Sequence, residues 1–411
     1  MKLAYFSPLP PQKTGIATFS RHFLPALAKI ADVTAFHAGP CDPVPGVAAP
    51  VDFTAGAGLL HALTGYDEVI YHLGNNPHFH LDIYRALLAR PGVVVLHDSV
   101  LYFLMAGGGR GAFLREFAAN HGTARLREAW QVEDDCPDGN LLRYPHPARY
   151  PLLRRVFDHA TAIIVHSAIA AADIRRAGYA GPIGLCSLAY YPEARAAAQA
   201  RPAGAALREV GVPAGRAVFG CFGFLGPTKR MKSLLDAFAI ARRKAPAALI
   251  VVGEGEDVMS YARHVGVAAD VVHVGFAPDA QFDALLAAVD VVVNLRYPSM
   301  GETSATLVQA MSFGKPCIVT RDAWFAELPE DVVHFVPHDD GEIAALAEAL
   351  ETFALDAGSR ERLGSAALRH AESRWSPESG ARRLVDLLRG FGTEGWARRL
   401  LAARLQDVIP R

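Results

Sequence analysis

Five short polar stretches hold the residue types that chemistry on a charged, hydroxyl-rich ligand would need. The turn Gly301, Glu302, Thr303, Ser304 precedes the helix-like run ATLVQAMSFG, so free amide N–H groups of the first helical turn would lie beside two hydroxyls. Such a helix start cradles an anion. A carboxylate such as Glu302 suits hydroxyl donors better than phosphate, and an ordinary N-cap by Thr303 or Ser304 would explain the same residues without a ligand. Lys229 and Arg230, in FGFLGPTKRMKSLLDAFA, follow an apolar run that ends near Gly223 and fall at the start of the next helix. Cations oppose the helix dipole at that end, a conflict that a shared anionic ligand resolves; solvated surface charge is the alternative.

Three further stretches lie nearer the N-terminus. In SPLPPQKTGIATFS, Gly15 precedes a helical pattern and would let backbone amides approach a phosphate. In GNNPHFHLD, Asn75, Asn76, His78 and His80 crowd one loop. Amides and imidazoles both donate and accept, which suits hydroxyl-rich ligands, although a capped turn uses the same types. His78 and His80 lack a third ligand for a metal, and none is assigned. His97 and Asp98 end the strongly apolar run GVVVLHD, where an imidazole can meet a sugar hydroxyl or phosphate, or move a proton, unless it is a satisfied structural histidine.

Parallel strands are what would position these loops. KLAYF (2–6), EVIYHL (68–73), GVVVLHD (92–98) and TAIIVHS (161–167) read as strands buried on both faces, alternating with helical patterns such as ATFSRHFLPALAKI (17–30). The second half repeats the theme in AVFGCFGFL (217–225), ALIVVGEG (248–255), DVVHVGF (270–276), DVVVNL (290–295) and PCIVT (316–320). The stretch 190–216, rich in Ala, Pro, Gly and Arg, reads as a linker region. Two α/β Rossmann-like domains follow, with ligands expected beyond the carboxyl ends of their strands. Helical patterns close the chain at 376–391 and 395–409. The last has basic residues on one side and Trp396, Leu400, Leu401 and Leu405 on the other, for packing on a domain or for contact with a membrane surface or partner.

Composition narrows the partners. The 411 residues exceed what one core usually serves, and a formal net charge of −1 provides no basic field for nucleic acid. Five scattered cysteines without a C-x-x-C pair fit a reducing cytoplasm rather than a disulfide frame or zinc knuckle. The N-terminal apolar run is too short for a signal core, and no apolar segment approaches the roughly 18 residues of a membrane helix. The expected location is therefore cytoplasmic, with a peripheral position at the inner membrane face as the variant. A ligand combining diphosphate and sugars, held in an interdomain cleft, matches the loops.

The stretches SPLPPQKTGIATFSRHFLPALA, VVLHD, IVHS, GPTKRMKSLLDAFA, VVGEGED and HVGFAPDAQFDALLAAVDVVVNLRYPSMGETSATLVQAMSFGKPCIV together resemble the GT-B glycosyltransferases, specifically the retaining family 4, or group 1. The GETS turn resembles a variant of some bacterial members. The resemblance implies two Rossmann-like domains facing each other across a cleft, with a C-terminal helix crossing back to the first. It implies an N-terminal acceptor-binding domain at 1–195 plus 392–411 and a donor-binding domain at 196–391. The implied activity moves a sugar from a nucleotide diphosphate-sugar to a carbohydrate, lipid-linked or other hydroxyl acceptor, with retention, no obligatory metal and no further cofactor; oligomeric state is open.

By the same resemblance, His97, Lys229 and Glu302 take catalytic roles. Gly15, Gly223, Arg230, Thr303, Ser304 and Gln309 would bind donor, and Asn75, Asn76, His78, His80 and Asp98 acceptor. The family's G-R-L-x-x-x-K-G stretch has Phe224 here in place of its arginine and Arg230 in place of its last glycine, so Arg230 is expected to supply the missing charge. Its paired glutamates correspond to Gly301, with Glu302 one position late, and to Gln309, which bonds a ribose hydroxyl without charge assistance. The alternatives are a catalytically silent nucleotide-sugar-binding subunit, a GT-B epimerase or phosphorylase, and a metal-dependent GT-A enzyme using the acidic cluster EDDCPD (133–138).

Overall fold

The computed structural model describes residues 1–54, 63–202 and 204–406, with side chains described as far as 391. Short apolar runs become strands because helices cover both faces of a parallel sheet, so each strand buries nearly every side chain. In β1 (Lys2–Phe6), residues Leu3, Ala4, Tyr5 and Phe6 are fully buried. The chain divides into two compact units: Met1–Leu188 with Met300–Thr303 and Pro377–Arg411, and Ala189–Ser299 with Ser304–Ser376.

Unit 1 adds β2 (Asp32–His37), β3 (Val51–Asp52), β4 (Glu68–Leu73), β5 (Gly92–Leu96), β6 (Ala160–Val165) and β7 (Ile183–Leu185), in the order β3-β2-β1-β4-β5-β6-β7. Unit 2 holds β8 (Ala217–Phe222), β9 (Ala247–Val252), β10 (Val271–Val274), β11 (Val291–Asn294), β12 (Cys317–Thr320) and β13 (His334–Val336), ordered β10-β9-β8-β11-β12-β13. Every pairing between these strands is parallel. Strand order reverses at β1/β4 and at β8/β11, and such switch points open crevices at the carboxyl edge.

The nine expected strand runs are present, whereas β2, β3, β7 and β13 were not anticipated. The stretch 190–216 is not a bare linker. It contains the helices Pro192–Gln199 and Ala205–Glu209, as its alanines favour, and unit 2 begins at Ala189. The two C-terminal helical patterns form one helix, Pro377–Gln406, which packs on the helix Gly15–Ala28 within unit 1, so the return to unit 1 falls at Pro377 rather than 392. The side chains of Trp396, Leu400, Leu401 and Leu405 lie outside the described residues. Among the described residues no helix is long and apolar enough to cross a membrane.

Candidate functional site

In unit 2 the switch point assembles a polar cluster. β8 ends at Phe222, and Gly223 turns the chain with φ +97, a left-handed value that disfavours side chains. A Cβ there would stand 3.4 Å from Thr306 Oγ1 and 3.8 Å from Lys229 Nζ, so the backbone, the hydroxyl and the ammonium converge. Lys229 is 3% exposed and donates to Phe222 O at 3.0 Å and Asn294 Oδ1 at 3.2 Å. Both acceptors are neutral, so these bonds fix the ammonium without cancelling its charge. Asn294 Nδ2 donates to Ser304 Oγ at 2.8 Å.

Ser304 is the N-cap of the helix Ala305–Ser312, its hydroxyl accepting from Leu307 N at 3.2 Å. The capping alternative thus describes its hydroxyl. The amides of Ala305 and Thr306 still precede the first intrahelical bond, from Val308 N to Ser304 O, which leaves the anion-cradling geometry of a helix start. Thr303 is half-buried.

Arg230 departs from expectation. Its Nε lies 3.1 Å from both carboxylate oxygens of Glu342, its Nη2 also bonds Glu342 Oε2, and Glu342 is 2% exposed. Arg230 is therefore committed to a buried carboxylate from the helix Glu342–Leu355, instead of supplying charge to a ligand. Gln309 is likewise turned inward. It is 3% exposed, and its Oε1 accepts from Tyr191 N at 3.1 Å. Its buried Nε2 closes no hydrogen bond and lies toward Asp283, whose carboxyl is pushed up to about 6 by burial first and then by Asp279.

Unit 1 joins three histidines at adjacent strand ends, with a fourth, His80, on the helix Pro77–Ala89. His72 Nδ1 lies 2.9 Å from His97 Nε2, His97 Nδ1 lies 3.1 Å from His166 Nε2, and His166 Nδ1 lies 2.7 Å from Cys186 O. A carbonyl only accepts, so His166 carries its proton on Nδ1 and accepts at Nε2. The same logic then protonates His97 and His72 on Nδ1 and leaves His72 Nε2 a buried lone pair without a partner. His80, 1% exposed, donates from Nδ1 to His72 O at 3.1 Å. Burial above all holds the four rings neutral: the pKa of His72 and His97 is lowered well below the ordinary value, and that of His80 and His166 falls to about 4.

This corrects two expectations. His97 has both nitrogens engaged by histidines and is not presented to a sugar, because the neighbouring strands end in imidazoles of matching reach. His80 faces the core rather than an acceptor.

Of the other loop residues, Asn75 and Asp98 come together, with Asn75 N donating to Asp98 Oδ2 at 2.7 Å. Asn75 Oδ1 accepts from Phe103 N and Leu104 N at 2.8 and 3.2 Å. Asn76 caps the helix Pro77–Ala89 through His78 N, and the His78 side chain is exposed. Gly15 opens its helix behind the Thr14 cap, with open space where a Cβ would stand. Glu302 Oε2 accepts from Met300 N at 2.6 Å, tightening the turn. Within unit 1, Met300 O accepts from Ser99 N at 2.9 Å and Val100 N at 3.2 Å. Gly301, at φ +80, admits no Cβ, which would lie 1.7 Å from Ser99 Oγ.

Asn294, Thr306 and Glu342 escaped the sequence reading. The signal for Asn294 was available, since a lone amide ends an otherwise apolar β11. Among the described residues no group of three or more His, Cys, Asp or Glu could hold a metal ion.

Comparison by sequence with curated proteins gives no match. Among solved structures, the chain is similar to sucrose-phosphate synthase (tll1590) from Thermosynechococcus elongatus at 18% identity and TM-score 0.64, covering 98% of this chain and 100% of that one. It is similar to WaaG, a glycosyltransferase involved in lipopolysaccharide biosynthesis, at 18% identity and TM-score 0.61, covering 92% and 98%. It is also similar to Anabaena Alr3699/HepE in complex with UDP-glucose, at 19% identity and TM-score 0.62, covering 95% and 100%. Residues 205–370 match the family described as glycosyl transferases group 1, a segment carrying Gly223, Lys229, Asn294 and Ser304. The family match over residues 205–370 and the two parallel-sheet units bear out the GT-B fold and the resemblance to the group 1 glycosyltransferases.

Proposed function

We propose that the chain is a retaining hexosyltransferase of the family 4 type that takes a nucleotide diphosphate-sugar in unit 2 and transfers the sugar, without an obligatory metal, to a hydroxyl acceptor recognised by unit 1. The observation that carries the reading is the convergence of Gly223, Lys229 and the first turn of the helix Ala305–Ser312 at the β8/β11 switch point. The Lys229 ammonium and the amides of Ala305 and Thr306 would stabilise negative charge on the departing diphosphate. The Thr306 hydroxyl would meet the same group. Glu302, beside a hydroxyl-bearing turn, would accept from the sugar. Asn75 and Asp98, already paired, offer the acceptor a fixed amide and carboxylate. The solved complex of HepE with UDP-glucose makes uridine the first base to test.

The test is calorimetric titration with uridine, guanosine and adenosine diphosphates and their glucose conjugates, followed by transfer assays on sugar and lipid-linked acceptors. One diphosphate should bind at micromolar affinity, and its sugar should be transferred with the anomeric configuration kept, in the presence of chelator. Absence of binding by every nucleotide diphosphate would overturn the reading, whereas binding without turnover would mark a silent nucleotide-sugar subunit.

A further inference from the structure

Strand alternation in unit 2 leaves one row of side chains uncovered at the carboxyl edge, beside the Gly223 turn. Along β8 and its extension, Phe219, Cys221 and Leu225 enter one core with Leu249 and Val251 of β9, Val271 of β10, and Met231 and Leu235 of the helix Met231–Ala241. Successive strand residues face opposite sides, so Phe222 and Phe224 lie on the other face. There the Phe222 ring meets Phe282 of the helix Asp279–Ala288, with centroids 5.2 Å apart. By the same alternation Val252 and Glu254 on β9, and Val274 and Phe276 on β10, share that face.

Register sets these residues level. Phe222 stands opposite Val252 and Val252 opposite Val274, and pairing resumes with Leu225 opposite Gly255. Two residues beyond that first row, Phe224, Glu254 and Phe276 form a second one across three strands. Phe222 is buried under its helix, whereas Phe224 is 75% exposed, Phe276 is 45% exposed and Glu254 is exposed as well. The backbone beneath them is fixed. Gly223 N donates to Val252 O at 2.9 Å and Leu225 N to Glu254 O at 2.8 Å. A Cβ on Gly253 would lie 2.1 Å from Gly223 O, and one on Gly255 2.3 Å from Leu225 O, so the two turns touch main chain to main chain. Among the described residues the Glu254 carboxylate closes no ion pair or hydrogen bond.

Neighbouring strands lie about 4.8 Å apart, so rings on β8 and β10 bracket a gap of roughly 10 Å. A planar heterocycle in contact with both rings fits that gap, because paired aromatic centroids lie about 4.5 to 7 Å apart. A carboxylate only accepts, so Glu254 selects a base edge with adjacent N–H donors. Guanine presents two, N1–H and its 2-amino group. Uracil flanks its N3–H with two carbonyls, and adenine and cytosine set a ring-nitrogen acceptor beside their amino group. We propose that Phe224, Glu254 and Phe276 form the nucleobase seat of unit 2, and that Glu254 makes it a seat for guanine. The inference rests on the reading that unit 2 takes a nucleotide diphosphate, and it ranks guanosine above uridine. Continuity favours it, since Phe224 directly follows Gly223 of the diphosphate cluster and lies on the β9 side of β8, away from β11.

The experiment measures calorimetric affinity of the full chain for inorganic pyrophosphate and for guanosine, uridine and adenosine diphosphates. It compares the wild type with Glu254→Gln, Phe224→Ala and Phe276→Ala, with melting temperature as the check on folding. The wild type should bind guanosine diphosphate about tenfold or more tightly than the other two nucleotides. Glu254→Gln should cost guanosine diphosphate about tenfold, as loss of a charge-assisted bond implies, bring the three bases within about threefold, and leave pyrophosphate within about twofold. Each alanine variant should weaken guanosine diphosphate by about five- to tenfold through lost stacking, and spare pyrophosphate. A wild type that prefers another base, or a Glu254→Gln chain that keeps the guanosine preference, overturns the inference while the nucleotide reading stands. Full guanosine diphosphate affinity in both alanine variants overturns it likewise. Binding of no nucleotide diphosphate by the wild type overturns the nucleotide reading and the inference with it.

Discussion

The neutral histidine chain makes unit 1 sensitive to mild acid, and the magnitude follows from its burial. His80 and His166 fall from 6.5 to about 4 on folding. A histidine depressed in the folded state contributes stability that is present above its unfolded value and is lost as pH falls toward the folded one. Between about pH 7.5 and about pH 5.5 the unfolded chain takes up protons that the folded chain refuses, which costs about 1.4 kcal/mol for each of these two rings. His72 and His97 shift in the same direction. Tyr5, Phe19 and the carbonyl of Cys186 pack on the chain, and the Asp98 carboxylate stands beside His80, a Cβ on Gly74 lying 2.9 Å from His80 Nε2 and 3.2 Å from Asp98 Oδ2. Asp283 acts oppositely, because its pKa is raised to about 6, and stabilises the fold by about 0.8 kcal/mol over the same interval. It sits in unit 2, so the two effects separate by unit.

Urea unfolding read by hydrogen exchange resolves them, with β5 and β6 reporting on unit 1 and β9 on unit 2. Unit 1 should lose about 3 kcal/mol or more between the two pH values, while unit 2 changes by less than about 1 kcal/mol. His72→Phe fills the end of the chain without a titrating ring and should flatten the unit 1 slope. Equal or greater stability of β5 and β6 at the lower pH would refute the assignment of four neutral rings.

Other substitutions test the site residue by residue. Gly301→Ala places a methyl on Ser99 and a side chain at positive φ, and should destabilise by roughly 2 to 4 kcal/mol; a wild-type melting temperature would refute the close approach, and Ser99→Gly should restore part of any loss. Glu342→Gln leaves Arg230 half-buried with a weaker partner, and should cost roughly 1 to 3 kcal/mol in denaturant midpoint while sparing nucleotide affinity; weakened affinity without destabilisation would contradict the structural role. Lys229→Met replaces a buried ammonium with an apolar chain of similar length, so stability should hold or rise while diphosphate affinity drops about tenfold; unchanged affinity in calorimetry would remove Lys229 from the site. Gln309→Glu sets a second carboxylate against Asp283 and should lower stability more at about pH 8 than at about pH 5, since protonation of the pair relieves the repulsion; a pH-independent effect would show that the two side chains do not face each other.

What was legible in the sequence and what was not divides along a physical line. Runs such as KLAYF and ALIVV declare themselves because a strand covered on both faces tolerates few polar residues, whereas β13, three residues long, leaves no comparable pattern. Caps at Asn76 and Ser304 were open as alternatives because their partners are two and three residues away. Arg230 was misassigned because its partner, Glu342, lies far along the chain on another helix, and no local rule connects them. The histidines fall between these cases. VVLHD and IVHS each end a strand in histidine, and β5 and β6 pair with Val95 opposite Ile164, a register that carries His97 opposite His166. Two polar rings closing adjacent parallel strands at the same level must meet, since neighbouring strands lie about 4.8 Å apart. Strand register thus turns a non-local contact into one that local patterns foretell, and it does so only at the sheet's edge, where ligand residues also stand. An imidazole ending a buried strand is therefore first a candidate partner for the neighbouring strand's last residue, and only when that place is apolar a candidate for the ligand.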